Sequence, residues 1–593
     1  MTSLELAVIG NCSFGALIDE RARIVWSCLP RFDSDPVFCG LLGGSEPTDG
    51  MFEIEVLEWE RSEQAYRYNS AVLETRLYDK HGGAIEVIDF APRFLRFERI
   101  FRPSTIMRVI RPLAGSPRVR IRLRPRCRYG VARLELTRGS NHIRYVAPDY
   151  TLRLTADGPL SYIVDEVPFI LDRPMTMMLG SDEPVPTALA DLAREWTEKT
   201  DDYWREFCRG LSIPFEWQEP VIRAAITLKM CSYEDTGAII AAMTTSIPEA
   251  PNSGRTWDYR FCWLRDAYFV VNALNRLGAT RTMEQHLEYI ENVVATAPDG
   301  YLQPCFGILR ETKLDERAVA SLEGYRGMGP VRVGNSAYDQ VQNDGYGSVI
   351  LACAQSYFDQ RLFRPGGAAL FHRLERLGEQ AAHRWDQPDA GLWELRTRKS
   401  VHTYSSIMCW VACDRLANIA GSLGLGDRRD YWRDHAKHIR KEVLDRAWNS
   451  EMGSFVATLG GDELDASLLL MPTLGFLPAD DPRFGKTLIC VERHLRRGSY
   501  MFRYINADDF GEPTNAFIAC TFWYIDALTA VGRIDEARDL FESMLTRRNR
   551  VGLLSEDIDV ATGELWGNFP QTYSMVGLIQ SAMRLSRPWD GAF

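Results

Sequence analysis

The chain has 593 residues, more than one hydrophobic core sustains, so two or three domains are expected. Its 69 Lys and Arg face 80 Asp and Glu, a net charge of −11 that argues against nucleic acid or an anionic membrane as partner. No apolar run approaches the ~20 residues of a membrane span, MTSLELAVIG has no basic leader region, and the 13 scattered cysteines lack a C-x-x-C pair, all of which fits a reducing cytoplasm.

Residues 1–185 read as strands. RARIVWSCLP, MFEIEVLEWE, AVLETRLYD, AIEVIDFAP, STIMRVIRP, RVRIRLRPR, HIRYVA and YTLRLTA are short, β-branched and often alternating, with Gly, Pro, Asn and Asp between them. Their spacing predicts an antiparallel β-sandwich. The arginine alternation of RVRIRLRPR predicts a strand with one solvated basic face. Residues 186–213 then carry helical spacing between charges, a linker helix that ends near Gly210.

Residues 214–593 are mostly helix. Ten to twelve amphipathic or apolar segments alternate with loops rich in Trp, Asp, Glu and Gly, which predicts an (α/α)6 barrel of six inner and six outer helices. AYFVVNAL and AFIACTFWYIDAL, apolar all round, belong in the inner layer.

No P-loop, G-x-S-x-G or H-E-x-x-H occurs, and the nine histidines form no metal-ligand spacing; His402 reads as a loop or surface residue. Carboxylates remain. In PDAGLWELRTR, Glu394 follows Leu392 and Trp393. A carboxyl held against leucine and indole loses solvation and keeps a proton nearer neutral pH, as a general acid must. The alternative is a surface glutamate behind a buried tryptophan. In GLLSEDIDV, Glu556 is a candidate general base, the alternative being an acidic first helical turn capped by Ser555. Paired carboxylates on opposite walls of a pocket suit glycoside hydrolysis. Three further loops share a polar and aromatic texture ahead of apolar helices: NSGRTWDYRFCWLRDA (252–267), GNSAYDQVQNDGYG (334–347) and MFRYINADDFGEP (501–513). The first is either a packed loop of mutually neutralised charges or the floor of a sugar pocket.

WDYRFCWLRDA, GLWELR, CWVACDRL, LLSED and GNFPQTYSMVGLI resemble the bacterial branch of glycoside hydrolase family 15, the glucoamylases with related glucodextranases, isomaltose glucohydrolases and trehalases. The resemblance covers nearly the whole chain. It implies an inverting exo-hydrolase that releases β-glucose from α-glucosides, with Glu394 as general acid and Glu556 as general base. It implies that Arg265 and Asp266 hold the terminal glucose, and that Trp257, Asp258, Tyr259, Trp263 and Trp393 line the pocket. Arg503, Asn343 and Asp344 fall at second-subsite positions. Asp266 alternatively caps the following helix. The substrate implied first is a malto-oligosaccharide, with trehalose or an α-1,6-linked glucoside as the alternative. The glycone motifs do not separate these, and GNCSFGALID departs from the more basic, Gly-rich start of many relatives. A disaccharide phosphorylase would lack the base, and a silent carbohydrate-binding protein would need neither carboxylate. Hydrolysis requires no cofactor or metal, and oligomeric state is not encoded in these motifs.

Overall fold

The structure is a computed structural model and describes residues 3–589. Strands Ala7–Gly10, Gly15–Ile18, Ile24–Cys28, Met51–Val56, Arg118–Arg124 and Phe169–Ile170 form one antiparallel sheet in that order, with Pro36–Phe38 joined to Ile24–Cys28. A second antiparallel sheet runs Glu135–Arg138, His142–Val146, Thr151–Ala156, Met175–Ser181, Ile106–Ala114, Ala84–Phe90, Leu73–Asp79, Trp59–Tyr66. Ile54 and Ile121 of the first sheet share a core with Ile85, Val87, Ile110 and Met177 of the second.

The period-2 alternation of strands sends the intervening residues to the other face. There Ile88, Phe90, Met107 and Val109 pack under Leu189 and Ala193 of a long helix. The second sheet is therefore covered on both faces. The arginines of RVRIRLR do not form a free basic face. Arg122 pairs with Glu53 at 2.5 Å and Glu55 at 2.8 Å on the neighbouring strand, and Arg124 pairs with Glu166 at 2.6 Å.

The helices are α1 (Leu160–Val164), α2 (Leu189–Arg209), α3 (Gln218–Met230), α4 (Leu264–Arg276), α5 (Thr280–Thr296), α6 (Asp344–Phe358) and α7 (Ala368–Arg384). They continue as α8 (Thr403–Ser422), α9 (Gly426–Arg446), α10 (Met471–Leu474), α11 (Pro482–Leu495), α12 (Ile518–Ala530), α13 (Ile534–Leu545) and α14 (Thr572–Leu585). Inner helices α4, α6, α8, the segment Ala466–Leu470 with α10, α12 and α14 touch in that cyclic order and close a ring. Helices α3, α5, α7, α9, α11 and α13 pack outside it.

Sequence explains the division. Helix α12 is buried from Ile518 through Leu528. Helix α9 buries only Trp432, Ala436, Ile439 and Val443, a stripe at i, i+4, i+7 and i+11. The inner segment 466–474 is broken and short: Pro472 stands at the start of α10, after the turn 466–470, and Gly475, at φ +76°, ends it.

Sandwich and helical ring are joined by specific contacts. Trp26 Nε1 donates to the Met243 carbonyl at 2.9 Å, and Arg93 pairs with Glu234 at 2.6 Å. Gly43–Gly44 runs parallel to Gly324–Tyr325. Among the described residues no helix is long and apolar enough to cross a membrane.

Candidate active site

The segments ahead of the inner helices meet at one cavity, which encloses about 900 Å³ of atom-free space, part of it open to solvent. The stretch 257–261 shows how the sequence builds it. This segment runs extended beside 241–246: the amide of Ala242 donates to the Tyr259 carbonyl at 3.0 Å, and that of Ser246 to the Trp257 carbonyl at 2.8 Å. Extended backbone alternates its side chains. Trp257 and Tyr259 face the cavity, while Asp258 and Arg260 face the sandwich.

Glu394 lies on the loop before α8, with its backbone in the left-handed region at φ +58°. Its Oε1 accepts from Trp263 Nε1 at 2.6 Å, Arg265 Nη2 at 3.2 Å and Gln342 Nε2 at 3.2 Å. Every one of these donors reaches the same oxygen. The apolar wall expected from GLWE is therefore a set of N–H groups. Trp393 lines the cavity but sends its own Nε1 to Asp465 at 2.8 Å, and its ring packs on Tyr504, Phe517 and Trp523.

Glu556 precedes a short strand, Asp557–Ile558, paired with Ala516–Phe517 and Leu565–Trp566; no helix follows it. It is buried. Oε1 accepts from Tyr259 Oη at 2.6 Å and Oε2 from the Asn568 amide at 3.4 Å. Burial, reinforced by the negative charge of Glu249, pushes its pKa up to about 8. Asp557 beside it is also buried and pushed well up, again by burial first and then by Glu249 and Glu556. Gly567 is required behind this pair. At φ +75°, a Cβ there would stand 2.6 Å from Glu556 Cβ and 2.8 Å from Oε2.

The aromatic rings link the two carboxyls. Tyr259 holds Glu556, Trp263 holds Glu394, and their rings meet edge to face with centroids 5.5 Å apart. At the inner wall, Arg265 and Asp266 occupy the first turn of α4. Arg265 donates to Gln342 Oε1 at 2.9 Å and Asp344 Oδ2 at 3.1 Å as well as to Glu394. Burial pushes the Asp266 pKa up to about 6 against the opposing pull of Arg265. Its Oδ1 is buried without a hydrogen-bond partner, as are Arg265 Nε, Arg503 Nε and Asp557 Oδ2.

The structure gathers Trp257, Tyr259, Trp263, Arg265, Asp266, Trp393, Glu394, Arg503 and Glu556 on this cavity and leaves out three residues expected there. Asp258 is fully buried in an ion pair with Arg260, Oδ1 to Nε at 2.8 Å and Oδ2 to Nη2 at 2.7 Å. The strand alternation that aims Tyr259 inward turns Asp258 away. Asn343 is buried, with Nδ2 on the carbonyls of Arg384 and Gln387. Asp344 stands behind Arg265 as its partner and does not line the cavity. His402 is not a surface residue either: it is buried, with Nδ1 2.8 Å from Asp389 Oδ1. Arg503 pairs with Glu249, while Asp508, its neighbour in sequence, pairs with Arg255.

Several cavity residues had no signal of their own in the sequence. Glu249 accepts from Trp257 Nε1 at 2.8 Å and from Arg503 Nη2. Gln571 and Tyr573 also line the cavity, and behind the lining Gln342 bridges Arg265 and Glu394. Glu249 sits in SIPEAP, three residues beyond Ser246, and a buried glutamate facing an arginine 254 positions away is invisible to local pattern. Among the described residues no group of His, Cys, Asp and Glu is arranged to hold a metal ion.

A ring of helical hairpins with two carboxyls on an aromatic, arginine-bearing cavity defines a glycoside hydrolase. Comparison with known proteins agrees. The model for glycosyl hydrolases family 15 matches residues 218–583, and that of a trehalase-like N-terminal domain matches residues 3–167. The chain belongs to glycoside hydrolase family 15. It is 31% identical to a trehalase of Thermoplasma volcanium over 97% of this chain and 92% of that one. It is 30% identical to a trehalase of Mycolicibacterium smegmatis over 98% of this chain and 91% of that one. Its fold matches a bacterial glucoamylase complexed with acarbose, TM-score 0.70 at 14% identity over 98% of this chain and 93% of that one.

Proposed function

We propose that this protein is a trehalase that hydrolyses α,α-trehalose with inversion, Glu394 acting as general acid and Glu556 as general base. The observation that carries the roles is that two carboxyls stand on one cavity, one held through a single oxygen and the other through both. In Glu394 all three donors meet Oε1, which leaves Oε2 without a hydrogen-bond partner among the described residues and available to the glycosidic oxygen. In Glu556 each oxygen accepts one hydrogen bond, from the Tyr259 hydroxyl and the Asn568 amide, which fixes the group beside the cavity.

Glu394 would protonate the glycosidic oxygen as the bond to the anomeric carbon breaks. Glu556 would take a proton from the water that attacks that carbon from the opposite face. The departing unit keeps its α configuration and the attacked unit becomes β-glucose. Arg265 and Asp266, at the head of α4 on the cavity wall, would bind the hydroxyls of the attacked glucose. Arg503 would reach toward the second unit.

Trehalose is favoured over malto-oligosaccharide, the substrate placed first by sequence, because the trehalase relatives match across sandwich and helical ring alike. The likeness to a glucoamylase is one of fold. Thirteen unbridged cysteines, twelve of them buried, support a reducing cytoplasm as the working compartment.

The test is glucose release from trehalose, maltose and isomaltose at equal concentration, with anomers read by NMR in the first minutes. Trehalose should be fastest and give equal α- and β-glucose. Faster maltose hydrolysis would overturn the substrate, and α-glucose alone would overturn inversion.

A further inference from the structure

The cavity is bordered by a short strap, residues 506–511, of which Asp508, Asp509 and Phe510 line it. Asp508 holds Arg255 in a two-point ion pair, Oδ2 to Nη1 at 2.5 Å and Oδ1 to Nη2 at 2.6 Å, with both side chains nearly buried. Tyr504 Oη donates to the same Asp508 at 2.5 Å. Asp509 accepts from the Arg396 amide at 2.7 Å and from the Thr397 hydroxyl, and Arg398 donates to the Ala507 carbonyl. The strap is thus tied to the stretch that leads into Trp257 on one side and to the residues directly after Glu394 on the other. Phe510 meets Trp257 edge to face at 5.2 Å, and the Arg396 guanidinium lies 4.3 Å over the same indole. Arg396 is itself clamped by Glu316, at 2.9 and 2.7 Å.

A general acid stands beside the oxygen it protonates, so the residues that follow Glu394 border the leaving group. Arg265 and Asp266, at the head of α4, border the attacked glucose in the reading above. The strap therefore stands where a third sugar of a longer chain would pass. We infer that residues 506–511, locked by Arg255–Asp508 and by the Asp509 contacts to Arg396 and Thr397, set substrate length by ending the cavity after one leaving-group glucose. The inference rests on the hydrolase reading above and gives it a physical cause: a site closed after two units accepts a disaccharide and excludes the tail of a malto-oligosaccharide. Exclusion of this kind is specificity by repulsion, which needs no added attraction for the right substrate.

The experiment compares kcat/KM for trehalose, maltose, maltotriose and maltopentaose in the full-length protein, wild type, Asp509→Ala and Asp508→Asn. Asp509 bonds Arg396 and Thr397 and makes no ion pair with Arg255, so Asp509→Ala unlatches the strap without removing the Arg255–Asp508 pair. Circular dichroism and the melting temperature check that each variant is folded. Wild type should strongly disfavour maltotriose and maltopentaose against maltose. Each variant should raise the maltotriose-to-maltose ratio by about tenfold, the scale on which a removed steric barrier in a sugar or side-chain pocket is felt. A wild-type enzyme that cleaves maltose and maltopentaose equally, or folded variants with the wild-type length profile, would overturn the strap. Maltose cleaved in preference to trehalose would instead overturn the trehalose reading and leave the length ratio to judge the strap.

Discussion

Two Asp–Arg pairs lie within nine residues of each other and have opposite character. Asp258–Arg260 is sealed. Both carboxylate oxygens and all three guanidinium nitrogens have partners, among them the Ser34 carbonyl at 2.9 Å and the Tyr129 hydroxyl at 3.2 Å in the sandwich. Arg265–Asp266 is open. Nε and Oδ1, 3.4 Å apart, form a long ion pair but no hydrogen bond, and both are buried without a hydrogen-bond partner. Buried polar atoms are normally satisfied, because desolvating one without a partner costs about 1–3 kcal/mol. The sealed pair holds the loop. The second pair is the less satisfied one: its two facing atoms, out of reach of solvent, meet only each other beside the cavity.

The largest effect should come from the carboxyls this contrast frames. Glu394→Gln and Glu556→Gln should each lower kcat by about 10²- to 10⁴-fold with the circular dichroism spectrum unchanged. Near-normal turnover in either would remove that residue from the chemistry.

The contrast itself is tested by one substitution in each pair. Arg265→Lys keeps the charge and loses the forked geometry, and should lower kcat/KM by roughly 10²-fold. Asp258→Asn should do the reverse. It leaves a buried guanidinium uncompensated, at a cost of about 3–5 kcal/mol in stability, while kcat of the folded fraction holds. Melting curves and steady-state kinetics on both variants separate the two outcomes; matching behaviour would erase the distinction.

The smallest effect concerns pH. A base must be ionised to act, and the Glu556 pKa is raised to about 8, so under the proposed roles the rate should climb with pH through that region. Glu249→Gln removes the charge that most raises it after burial itself. The climbing limb should then move to lower pH, and the rate at pH 7, relative to its own plateau, should rise by up to about tenfold. An unmoved limb would show that Glu249 does not govern the base.

Much of the architecture was legible in the sequence because it is periodic. The strands of AIEVIDF and RVRIRLR alternate, and α12 is apolar on every side. The inner segment at 466–474 was not legible, since Pro472 and Gly475 cut it below the length at which a period shows. Glu394 and Glu556 were legible as candidates from loop residue types and as an acid–base pair from the resemblance carried by GLWE and LLSED, whereas Glu249 was not. Orientation was not. Asp258 and Tyr259 are adjacent, equally polar and equally plausible in a sugar pocket, and only the pairing of 257–261 beside 241–246 sends one inward and the other to the sandwich. The direction of the Arg503 and Arg255 side chains, toward Glu249 and Asp508, depends on contacts more than 250 residues apart in sequence.

The contacts of Arg260 with Ser34 and Tyr129 carry a further consequence for modularity. The loop that presents Tyr259 to Glu556 is anchored, one residue on, in the other half of the chain. The sandwich is a foundation for the active site, and the helical ring expressed alone would lose the partners that fix its own cavity wall. The boundary between the two halves is one of architecture, and exchanging sandwiches between relatives would also exchange the footing of the base.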